Sequence, residues 1–67
     1  GQKKVDKLVD GILTALLNRE ISKPQAHYLL AHVIELAAND KEEDFRDWLT
    51  PARQAKWKKE CERAART

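Results

Sequence analysis

The sequence predicts an all-α fold, a small bundle of three to four helices. Two observations carry this. Apolar residues recur at spacings of three and four through two long stretches, and helix caps with first-turn prolines divide the chain at short intervals. The expected helices cover about 3–18, 23–38, 41–49 and 51–65. The loops between them are all short, so consecutive helices should pack against each other.

In the first helix Val5, Leu8, Val9, Ile12, Leu13, Leu16 and Leu17 follow the helical spacing. Asp10-Gly11 would mark a hairpin between strands, but here it sits inside the helical pattern. A glycine inside a helix costs about 1 kcal/mol relative to alanine, so close packing of another backbone near Gly11 and Ala15 is the expected compensation. The stretch "LNREIS" ends this helix and starts the next. Ser22 with Gln25 three residues later makes a capping box, and Pro24 fits a first turn. Ile21, just before the cap, can pack back on Ala26 as a hydrophobic staple.

The second helix should run unbroken to about Ala38, where Asn39-Asp40 breaks it. Asp40 and Glu43 make a second capping box, which starts a short helix presenting Phe45, Trp48 and Leu49. Thr50-Pro51 is a cap followed by a first-turn proline, and it starts the last helix.

With 67 residues the chain forms one domain, near the lower limit at which one core stabilises a monomer. Gly1 at its start and the absence of Met suggest a piece of a longer protein. A lone Cys61 excludes an internal disulfide and a cysteine-based zinc site, and points to a reducing, cytoplasmic setting. No apolar run approaches the ~18 residues of a membrane span, so no membrane partner is expected. The net charge is +2, but it is unevenly spread. Residues 41–50 carry two basic and four acidic side chains, whereas residues 51–67 carry six and two.

The two long helices are more apolar than pairwise packing requires. On a wheel of about 100° per residue, the apolar residues of the first helix span an arc of about 200°. Lys7, Asp10, Thr14 and Asn18 are left on its polar side. In the second helix Leu29, Leu30, Val33, Ile34, Leu36 and Ala37 span a similar arc, with Tyr28, His32 and Glu35 opposite. A surface helix needs only about 100°. The excess points to self-association or to a partner protein, with Val9, Leu13, Leu17, Leu30 and Ile34 as the expected interface.

Catalytic and metal chemistry find little support. His27 and His32 are five residues apart, about 140° around a helix, whereas a helical zinc pair needs the i, i+4 spacing. The reading is an interface His27 and a solvated His32. There is no phosphate-binding glycine loop, and Cys61 has no assigned base. The expectation is a non-enzyme with no cofactor, no metal and no small-molecule substrate.

A second reading involves DNA or RNA. In "REISKPQAHYLLAHV" the pattern of Ile21-Ser22, Pro24 and Leu29-Leu30 resembles the start of the recognition helix in helix-turn-helix DNA-binding domains. That resemblance implies base or phosphate contacts from Lys23, Gln25, Tyr28 and His32. The chain departs from the pattern at Glu20, where the turn commonly has Gly, and at Arg19, where a buried apolar residue is expected. In the last helix Lys56, Lys59, Arg63 and Arg66 form one continuous stripe able to meet phosphates. Trp57, Cys61 and Ala64 form a second strip on roughly the opposite side, so Trp57 is expected to anchor this helix to the bundle.

Overall fold

The computed structural model describes residues 2–39 and 44–66. Among them it shows five helices: α1 (Gln2–Leu17), α2 (Lys23–Ala31), α3 (Val33–Ala38), α4 (Phe45–Trp48) and α5 (Pro51–Ala65). The all-α bundle is as expected, with one helix more than the sequence suggests. The expected start of the short helix and the Asp40/Glu43 box lie outside the described residues. Among those described, α4 begins at Phe45, and Asp44 caps it by accepting the Arg46 N–H (2.8 Å).

α1 ends through backbone bonds made possible by one left-handed residue. Arg19 has φ 60°. This conformation lets the Glu20 N–H reach the Ala15 carbonyl (2.9 Å) and the Arg19 N–H reach that of Leu16 (3.1 Å). Such a pair of bonds is the Schellman closure, which usually places glycine at the left-handed position. The next helix starts on the expected capping box. Ser22 Oγ accepts the Gln25 N–H (3.3 Å), and Gln25 Oε1 accepts that of Ser22 (2.8 Å). Ile21 and Ala26 are both buried, as a staple requires.

The helix expected over 23–38 is broken at His32, the joint between α2 and α3. His32 Nδ1 lies 2.8 Å from the Tyr28 carbonyl, the group that its own amide would use in an unbroken helix. The His32 N–H bonds the Leu29 carbonyl instead (3.1 Å). A side chain that takes the i−4 carbonyl thus breaks the ladder, and facing a carbonyl, Nδ1 must carry the proton.

The core gathers Leu8, Ile12 and Ala15 of α1 with Ile21, Ala26, Tyr28, Leu29, Leu36, Phe45, Trp48 and Leu49. α1 packs against both α2 and α3. Lys4 Nζ donates to the Asn39 carbonyl, so the start of α1 meets the end of α3. The two therefore form an antiparallel hairpin. α5 packs on α2, and α4 packs on α1.

Two corrections bear on the site. Gly11 is exposed, and a Cβ added there would meet nothing within 4 Å, so no backbone packs against it. Tyr28 and His32, assigned to a polar side, instead join an aromatic cluster. Tyr28 is buried, with its ring centroid 4.4 Å from His32, 6.3 Å from Trp48 and 6.5 Å from Trp57, stacked on the last at 18°. A wheel centred on the aliphatic residues misses this, because α5 covers a different flank of α2 from the one that meets α1.

Candidate functional site

Two surfaces remain once the core is assigned. The first is the side of the hairpin away from the aromatic cluster. On α1 the buried Leu8, Ile12 and Ala15 define the inward direction, and Val9, Leu13 and Leu17 lie about 60–140° round from Ile12. On α2–α3, Leu30 and Ile34 lie on the flank opposite Tyr28. In an antiparallel pair those two flanks open to the same side. Leu13 is 41% exposed, Leu17 82% and Ile34 71%, and these are the exposed large hydrophobic residues among those described. Val9 and Leu30 are half-buried, forming the floor of the strip rather than its crest. An apolar side chain left in water forgoes up to about 1.5–3 kcal/mol of burial, so three along one face leave an uncovered apolar strip.

The second surface is on α5. Trp57 packs on the core as expected, and Cys61 is half-buried behind it. Burial pushes the Cys61 thiol above its ordinary pKa, opposed by the Trp57 indole N–H. Ala64, expected on the same strip, is exposed, so the packed strip ends at Cys61. Lys56, Lys59, Arg63 and Arg66 are all exposed, and they line one shallow groove along the helix together with Glu60 and Glu62. The two carboxylates lie at i, i+3 and i, i+4 from the cations and dilute the stripe.

The residues implied by the helix-turn-helix resemblance are scattered in role. Lys23 is exposed, but Gln25 Oε1 is held by the capping box and Tyr28 is in the core. His32 is half-buried between Tyr28 and Trp48 rather than solvated, with centroids 4.4 and 5.6 Å away. His27 is exposed on the rim of the apolar strip.

Two arginines outside the expected site residues brace the opposite, aromatic flank. Arg53 spans three elements. Its Nη1 donates to the Trp48 carbonyl (2.9 Å), its Nη2 to Glu35 (3.3 Å), and its guanidinium lies 4.7 Å from the Trp48 ring centroid. Arg46 pairs with Asp44 (3.1 Å) and with Glu20, tying α4 to the turn after α1. Only a "WLTPAR" spacing, which places Arg53 five residues after Trp48, hints at the first of these.

Among the described residues no group of three or more His, Cys, Asp or Glu gathers as a metal site, and no helix is long and apolar enough to cross a membrane. The chain matches no known family model, and neither the curated proteins nor the solved structures show a significant likeness to it.

Proposed function

We propose that this domain is a non-catalytic interaction module that docks through the apolar strip of Leu13, Leu17 and Ile34, floored by Val9 and Leu30. The observation that carries the reading is the exposure of the three crest residues on one side of the hairpin. Burying Leu17 and Ile34, both largely exposed, would each release up to about 1.5–3 kcal/mol, and the part-covered Leu13 less, a contribution that must exceed the costs of association. The test is photo-crosslinking from position 17, with position 59 on α5 as the control. A discrete covalent adduct from position 17 and none from position 59 is expected. No adduct from position 17 in the protein's own cell extract would refute the reading.

A second reading rests on the exposure of Lys56, Lys59, Arg63 and Arg66 along one groove. They can meet the phosphates of DNA or RNA, with Lys23 as a further cation. Such binding falls steeply with salt and is lost in Lys59→Glu/Arg63→Glu. No shift of a labelled duplex or single strand at low salt would rule it out.

A further inference from the structure

We infer that the occupant of the apolar strip is a second copy of this chain, related to the first by a two-fold axis lying in the face. The inference rests on the docking reading above and adds the identity of the partner. Its basis is the charge at two corners of the face.

Asp6 and Asp10 are exposed on the N-terminal half of α1, on its edge away from α2–α3. Lys3 lies further round the helix, and Lys7, also exposed, lies on the opposite flank beside Phe45, so the two carboxylates are the charges nearest the face. Lys23 and His27 are exposed on the N-terminal half of α2, on the edge away from α1. Because the hairpin is antiparallel, these two pairs sit at opposite ends of the face's diagonal. The acidic corner and the basic, donor-bearing corner thus flank an apolar centre crossed by Leu13. A two-fold axis perpendicular to that diagonal places each corner of one copy on the opposite corner of the other. The surface is therefore complementary to itself, which is the requirement of a closed two-fold interface. A partner with no acidic corner of its own would leave Lys23 facing nothing.

The size of the face agrees with a weak dimer. α1 is about 24 Å long at ~1.5 Å per residue, and neighbouring helices lie ~8–10 Å apart. The two-helix face then covers of the order of 400 Å² in projection, the scale of the smaller specific interfaces, which bury less than about 1,200 Å² over both partners.

The experiment is sedimentation of the chain over a concentration series, with helical circular dichroism checked for every variant. The chain should approach twice its 7.7 kDa mass as concentration rises. Leu17→Glu should weaken the dimer by about 100-fold or more, because each substitution acts at two symmetry-related places. Asp6→Lys and Lys23→Asp should each weaken it by about 5- to 10-fold, and the double variant Asp6→Lys/Lys23→Asp should restore it. A chain that stays monomeric up to about 1 mM overturns the second copy as occupant, while the position-17 crosslink separately decides whether the strip docks anything. A dimer that survives Leu17→Glu undiminished uses another face and overturns the inference. Failure of the double variant to restore what each single variant lost overturns the two-fold arrangement.

Discussion

The chain places a glycine inside α1 and an arginine at the left-handed position that closes the same helix, and exchanging those roles should stabilise it. Gly11 is exposed, in ordinary helical backbone, with open space where a Cβ would stand. Gly11→Ala then gains the helix-propensity difference, about 0.8–1 kcal/mol, with no steric cost to subtract. Arg19 at φ 60° carries the opposite penalty. Arg19→Gly removes a Cβ clash of about 1–2 kcal/mol but frees the unfolded chain, leaving a net gain of roughly 0.5–1 kcal/mol. At about 2.1 cal/mol/K per residue, unfolding 67 residues releases about 0.14 kcal/mol/K, so each kcal/mol raises Tm by about 7 °C. Each variant should therefore melt several degrees higher. The double variant should show the near-sum, since the sites are about 12 Å apart along the helix. The assay is calorimetry at one low protein concentration, so that self-association does not shift Tm. A Gly11→Ala variant that melts lower would refute the argument, because it would mean another backbone closes on Gly11.

Removing Arg53 should destabilise more than loss of an ordinary surface pair. Arg53→Ala loses a bond to the Trp48 carbonyl, a stack on the Trp48 ring and the Glu35 pair, together about 1.5–3 kcal/mol by chemical denaturation. Arg53→Lys, which cannot span all three, should recover only a fraction. Alkaline pH should also destabilise the fold. Burial raises the Cys61 thiol, and burial together with the Glu60 and Glu35 carboxylates raises the Tyr28 phenol. Both groups are neutral when protonated, so the folded state holds its protons longer than the unfolded chain does. Stability is thus full below the unfolded values, about 8.5 and 10, and declines as pH rises through them. The urea midpoint should fall from about pH 8.5 upward. Cys61→Ser should flatten the first part of that fall and Tyr28→Phe the second, and a midpoint that rises with pH would contradict both shifts.

Two helix starts were legible because capping is local chemistry. Ser22/Gln25 and Thr50/Pro51 declare their own positions within three residues, and each cap forms as written. The break at His32 was not legible in this way. It depends on an imidazole turning back to a carbonyl one turn earlier, and the aliphatic pattern of 29–37 continues through it without a gap. Tyr28 was misplaced for a related reason. Wheel reasoning assigns one buried direction per helix, whereas α2 is buried on two sides, toward α1 and toward α5. The apolar excess was legible, since Leu13, Leu17 and Ile34 did remain exposed. Val9 and Leu30 fell short because the helices pack closely enough to half-cover the inner edge of the strip.

That asymmetry follows from how little chain there is to cover the hairpin. Its two arms, α1 and α2–α3, have two open flanks, and after them only α4 and α5 are available among the described elements. Both go to one flank, where Phe45, Trp48 and Trp57 bring most of the aromatic surface of the chain and Leu49 joins them. Trp48 is so enclosed there that its Nε1 has no hydrogen-bond partner. A donor left unpaired in the core costs about 1–3 kcal/mol, which the burial of an indole outweighs, at about 3–5 kcal/mol for truncation to alanine. Among the described residues none comparable serves the other flank, so the largely exposed Leu17 and Ile34 add little to the monomer. Leu17→Ser and Ile34→Ser should accordingly leave the monomer's stability within about 0.5 kcal/mol of the parent. If a second copy covers that flank, the same residues determine how Tm rises with concentration. A monomer weakened by more than about 2 kcal/mol would instead place them in the core, and the strip would cease to be a docking surface.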